Sequence, residues 1–203
     1  MAERPPTSHE RLSGRPWDAS YRDGPAPWDI GHPQPAVVRL AAAGAFSGSV
    51  LDAGCGTGEN ALHIASFGLQ VLGVDVAPTA LAMAREKAAG VNARFEECDA
   101  LHLERLGRVF DTVLDCALFH AFDSDERPPY VKSLAAATAP GARLHLLCFS
   151  DVGAQCGPHP VAEDELRAAF AAGWRIDSLT PELLESRFAP QGAPAWLLAA
   201  ERS

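Results

Sequence analysis

The sequence predicts an α/β protein, a three-layer α/β/α sandwich around a seven-stranded, mostly parallel sheet whose last strand runs antiparallel. Three observations carry that prediction. Short apolar runs alternate with helix-like segments from Ser49 onward. A glycine-rich turn, Gly54-Cys55-Gly56-Thr57-Gly58, joins the first apolar run to a helix-like segment. Two final apolar runs, Trp174 to Leu184 and Ala195 to Ala200, read as a closing strand pair.

The totals bound the answer. A chain of 203 residues is long enough for one domain with a substantial core. With 17 basic against 26 acidic residues, its formal charge of −9 argues against a sequence-independent grip on nucleic acid or an anionic membrane. The five cysteines (Cys55, Cys98, Cys116, Cys148 and Cys156) are an odd number with no C-x-x-C pair, so neither a disulfide framework nor a metal site is expected. The first 15 residues lack the apolar core of a signal peptide, and no apolar stretch reaches membrane-spanning length unbroken. A cytoplasmic protein, monomer or homodimer, is the expectation.

Residues 1–14 contain two adjacent prolines and little to bury, which predicts a disordered tail. Residues 15–203 read as a single domain that opens with a lid and a helix over 15–44. The lid carries Trp17, Tyr21 and Trp28 in a Pro/Gly-rich stretch unsuited to regular structure. Such aromatics either strap the core or face a cation in a site. A helix follows over 35–43, then the strand ending Val50-Leu51-Asp52. The glycine loop leads to a helix from Glu59 to Phe67, and a second strand, Leu69 to Val74, ends in Asp75 and Val76. Pro78 and Gly90 bracket the next helix, with Leu81, Met83 and Ala84 as its packing side. The third strand, Arg94 to Cys98, leads to Asp99 and Ala100. The fourth, Phe110 to Asp115, leads to Cys116 and on to His120. A helix over 129–139, a Pro140-Gly141 turn and a strand over 142–149 come next, then a Gly/Pro-rich loop over 150–160 and a helix over 162–172.

The glycine loop decides the ligand class. A residue without a Cβ takes positive φ and lets backbone approach a ligand closely. An acid at the end of the second strand, such as Asp75, is placed to accept hydrogen bonds from a ribose diol. A dinucleotide loop wants a small residue where this chain has Glu59, whose charge would repel a pyrophosphate. Asp52 adds a second acid, so the pattern suits a cationic nucleoside: S-adenosylmethionine.

In Leu51-Asp52-Ala53-Gly54-Cys55-Gly56-Thr57-Gly58 and in Asp75 the sequence resembles the class I S-adenosylmethionine-dependent methyltransferases, a Rossmann-like fold. The likeness runs from about Trp17 to the C-terminus. The N-terminal segment resembles that of the thiopurine, thiol and halide methyltransferases and small bacterial relatives. The resemblance implies that Trp17, Tyr21 and Trp28 pack around the cofactor, that Asp99 and Ala100 meet the adenine, and that Cys116 contacts the cofactor. Asp52, Gly54, Gly56, Gly58, Asp75 and Val76 complete the expected cofactor site, with Asp115 facing the cofactor ammonium or the acceptor.

Methyl transfer from a sulfonium needs no covalent enzyme intermediate, so the protein chiefly positions the reactants. His120, just past the fourth strand, is the catalytic candidate, as base or as acceptor-orienting group. Tyr130 reads as a packing residue. The expected activity is methylation of a small molecule, leaning to a thiol or halide acceptor. O- or N-methylation of a small aromatic molecule with His120 as base is the alternative, and a non-catalytic cofactor-binding protein is the other.

Overall fold

The computed structural model describes residues 4–153 and 157–203. Seven strands form one sheet in the order β3-β2-β1-β4-β5-β7-β6. They are β1 (Ser49–Ala53), β2 (Gln70–Asp75), β3 (Ala93–Glu97), β4 (Phe110–Cys116), β5 (Thr138–Phe149), β6 (Trp174–Leu184) and β7 (Ala193–Arg202). Pairings among the first five are parallel. β7 inserts between β5 and β6 and runs antiparallel to both. The chain winds outward from β1 in one direction and then, from β4, in the other. The switch point lies between β1 and β4, where the strand ends open a crevice for ligands.

Helices cover both faces, which is why the central strands are near-continuous apolar runs. On one face α3 (Pro35–Ala42), α4 (Glu59–Ala65) and α5 (Pro78–Lys87) enclose Val50, Ile64, Leu81 and Leu114. On the other, α6 (Arg127–Ala136) and α7 (Glu163–Ala169) enclose Leu134, Leu144, Phe170 and Leu198. Among the described residues, no helix is long and apolar enough to cross a membrane.

The structure departs from the sequence expectations at four places. The tail expected to be disordered carries a helix, α1 (Ser8–Ser13), while residues 1–3 lie outside the described residues. Thr7 and Glu10 cap it reciprocally: Glu10 N donates to Thr7 Oγ1, and Thr7 N donates to Glu10 Oε2 at 2.8 Å. The lid's first turn is also helical, α2 (Trp17–Arg22). Asp18 pins it to the start of α5 by accepting from Thr79 N at 2.7 Å. Met83 is exposed on α5 while Leu81 and Ala84 do the packing. Pro140 and Gly141 belong to β5 rather than to a turn before it. They form a bulge where the register on β4 slips between Phe110↔Thr138 and Thr112↔Arg143. The loop expected over 150–160 is described at its two ends; Cys156 lies outside the described residues.

Candidate active site

A cavity of about 700 Å³ opens at the carboxyl ends of β1, β2 and β4 and is roofed by the N-terminal segment. That volume is typical of small-molecule sites. Its floor is the loop after β1. Gly54 N and Cys55 N donate to Val74 O at 2.8 and 2.9 Å, which folds the loop back across β2. Gly54 and Gly56 both have positive φ, and both line the cavity. A Cβ on Gly56 would come within 2.9 Å of Tyr21 Oη, so the bare backbone leaves room that a side chain would fill.

Asp75 locks this loop. Its carboxylate accepts from Gly56 N at 2.8 Å and from Ala77 N at 2.9 Å. Burial pushes its pKa up, against the pull of those backbone bonds. Asp75, Val76, Asp99, Ala100 and Cys116 line one half of the cavity. Asp99 also caps the helical turn over 100–106, accepting from Leu101 N at 3.0 Å.

The lid aromatics converge as one cluster. Trp28 Nε1 donates to Tyr21 Oη at 2.7 Å, and Trp17 meets Trp28 edge-on with ring centres 5.3 Å apart. All three line the cavity. His120, in the turn Phe119–Ala121, faces the other half beside Phe149, ring centres 4.6 Å apart. Its Nδ1 accepts from Phe149 N at 3.2 Å. The neutral ring therefore carries its hydrogen on Nε2. Burial, with the Arg127 charge next, pulls its pKa down to about 3.

Three expected cofactor contacts lie elsewhere. Gly58 does not border the cavity. It starts α4 at φ +86, and a Cβ there would meet the Phe95 ring at 2.7 Å, so its role is close packing of helix on sheet. Asp115 is fully buried beneath the cavity, accepting from Tyr130 Oη at 2.8 Å, Leu118 N at 3.0 Å and Phe119 N at 3.3 Å. These three donors turn it into the core. Asp52 is also buried below the glycine loop, with Oδ2 unpartnered and its pKa raised to about 7 by burial and by the charges of Asp115 and Asp75.

Several cavity residues escaped the sequence reading. Arg4, His9 and Leu12 come from the α1 segment, and Phe122, Leu184 and Phe188 from distant elements. The Thr7-x-x-Glu10 capping spacing was the available signal for α1. Nothing in the sequence marks Leu184 or Phe188, since only the turn of β6 towards α3 brings them in. Ala117 holds the left-handed conformation at φ +72 without being glycine, a strained point in the cavity wall after β4.

A family model described as a methyltransferase domain matches residues 50–141. The 2-heptyl-1-hydroxyquinolin-4(1H)-one methyltransferase of Mycobacteroides abscessus is 36% identical over 181 residues, 86% of this chain and 75% of that protein. A solved structure described under the conversion of a disulfide bond into a thioacetal group during echinomycin biosynthesis is 40% identical, with a TM-score of 0.82 over 92% of this chain and 91% of that one. The magnesium protoporphyrin IX methyltransferase of Synechocystis PCC 6803, solved with bound S-adenosylmethionine, is 26% identical, with a TM-score of 0.65 over 83% and 77%. The residues of this chain fit that group: a backbone cradle that side chains would block, an acid at the end of β2, and aromatic faces suited to a cation. Fold, loop and relatives together place the chain in the class I S-adenosylmethionine-dependent methyltransferases, with S-adenosylmethionine as its cofactor.

Proposed function

We propose that this enzyme methylates a small, largely apolar molecule at an atom whose proton comes off near neutrality, an organic thiol before all others. When bound, the cofactor supplies an activated methyl group on a sulfonium sulfur, and the chain's residues bind, orient and exclude water. One observation carries the reading: the state of His120. With Nδ1 committed to Phe149 N and the pKa near 3, the ring presents Nε2–H as a donor and takes no proton at physiological pH. The base expected at this position is thus a poor one, and His120 orients the acceptor instead. The cavity carboxylates are engaged as well: Asp29 with Gly31 N at 3.1 Å, Asp75 with the loop, Asp99 with its turn, and Glu59 with Lys87 at 2.6 Å. An alcohol or ammonium acceptor, which needs a strong base, is poorly served.

A thiol fits better than a halide because the acceptor half has aromatic and aliphatic walls, Phe122, Phe149 and Leu184 among them. The 40% identical structure concerns sulfur chemistry, which supports the same choice. Methylation of an acidic hydroxyl is the second reading, favoured by the relative named for a hydroxyquinolinone.

A panel of aryl and alkyl thiols, halides, phenols and alcohols tests the proposal, after calorimetry has measured cofactor and S-adenosylhomocysteine affinity. Thiols are expected to turn over fastest, and His120→Ala should lower the rate without moving the pH profile. Turnover of alcohols alone, or a profile that shifts when His120 is removed, would overturn it. The cofactor half has its own test. Asp75→Ala frees Gly56 N and removes the ribose-side acid, so S-adenosylmethionine affinity should drop by roughly 1–3 kcal/mol. Unchanged affinity by calorimetry would take Asp75 out of the site.

A further inference from the structure

His120 leaves a question that the N-terminal helix answers. An acceptor that loses a proton during transfer needs a lone pair nearby, and the cavity offers one on α1. His9 lines the cavity. Its ring lies flat against Trp17, centres 4.3 Å apart at 23°, and meets the edge of Trp28 at 6.0 Å. The residues on either side of it are anchored. Ser8 donates from N and Oγ to Glu126 at 2.7 and 2.6 Å. The Glu10 carboxylate accepts from Thr7 N, Trp17 N and Arg4. The polar groups around the ring are therefore spoken for; the imidazole is oriented by stacking, and among the described residues neither ring nitrogen is engaged in a hydrogen bond.

We propose that His9 is the second polar group of the acceptor subsite and takes the acceptor's proton as the methyl group is transferred. This rests on the proposed acceptor class. The S–H (or acidic O–H) bond breaks and its electron pair forms the new bond to the methyl carbon. The bond from that carbon to the sulfonium sulfur breaks with its pair staying on sulfur, which becomes neutral. The proton ends on His9, which is half-buried and can pass it to solvent. His120 and His9 divide the work: one donates a hydrogen bond to the acceptor atom, the other receives its hydrogen.

The surroundings of His9 keep its ring neutral before transfer. Burial lowers its pKa, Glu10 on the same helix opposes this, and His159, from the segment after β5, adds to the lowering. The His120 pKa, lowered first by burial and by Arg127, is lowered further by His9 and His159. His9 is accordingly neutral at physiological pH, with a lone pair available.

The test compares wild type, His9→Gln and His9→Phe on a series of thiols graded in acidity. The first readout is ionisation rather than turnover: the ultraviolet absorbance of an arylthiolate bound to the enzyme–S-adenosylhomocysteine complex, followed against pH. Wild type should ionise the bound thiol at lower pH than either variant does. In turnover, the variants should lose about a hundredfold in kcat for weakly acidic thiols at neutral pH and little for thiols already ionised. S-adenosylhomocysteine affinity should hold in His9→Phe, which keeps a flat ring against Trp17. Equal losses across the series, an unmoved ionisation curve or a lost cofactor affinity would each overturn the assignment. Failure of the acceptor class looks different. Wild type would then turn over no thiol and no phenol while still binding the cofactor, and that result would overturn both readings together.

Discussion

Asp115→Ala should destabilise the protein by about 3–5 kcal/mol, the largest effect expected of any single substitution here. Removing the carboxylate leaves Tyr130 Oη, Leu118 N and Phe119 N buried with no acceptor. A buried donor without a partner loses its full share of hydration and regains nothing. The denaturant midpoint reads the loss, and a shift of less than about 1 kcal/mol would mean that water replaces the carboxylate. The pH dependence of a milder variant sharpens the case. Burial raises the Asp115 pKa from 3.8 to about 7, against the bonds from Leu118, Tyr130 and Phe119. The native state therefore keeps a proton that the unfolded chain has already released. Between those two values the group's contribution to stability falls as pH rises. Asparagine has no such proton, so the gap between wild type and Asp115→Asn should narrow from about pH 5 to about pH 8. A gap that stays constant over that range would show the carboxylate to be ionised throughout.

Gly58→Ala is expected to cost roughly 2–5 kcal/mol through two additive causes. A left-handed backbone disfavours any Cβ by about 1–2 kcal/mol. The new methyl would also lie 2.7 Å from Phe95 Cζ and 3.0 Å from the Ala84 Cβ, and forcing a packed core apart costs about 1–3 kcal/mol. Both partners belong to the core between the sheet and α4–α5, where neither can yield freely. Thermal and denaturant midpoints measure the loss. Cofactor affinity of the folded fraction should change little, because Gly58 does not border the cavity. A variant with wild-type stability and lost affinity would return Gly58 to the cofactor site.

These two residues mark where sequence pattern stops being informative. Asp115 and Gly58 sit at positions that read as ligand-facing, one at a strand end and one in the glycine loop. Spacing alone does not say which way a side chain points. Tyr130, fifteen residues further on in α6, draws Asp115 into the core. Phe95, from β3, makes Gly58 a packing glycine. Both partners are long-range, and no local window contains them.

What the sequence by itself determined was the frame: alternating strands and helices, the glycine loop after β1, Asp75 at the end of β2, and with them a nucleoside-cofactor crevice at the switch point of a parallel sheet. These follow from hydrophobic periodicity and from the need for residues without a Cβ at a tight turn, which are local properties. Only the tertiary structure decided how the acceptor side is built. A short helix outside the sheet is held by its capping box and by Glu126 at the start of α6, and it carries His9 to a place its neighbours in sequence do not indicate. The state of His120 likewise depends on a backbone N–H from β5, twenty-nine residues away. Proton chemistry in a buried site is set by what surrounds each group in space, and that is the information a linear pattern lacks.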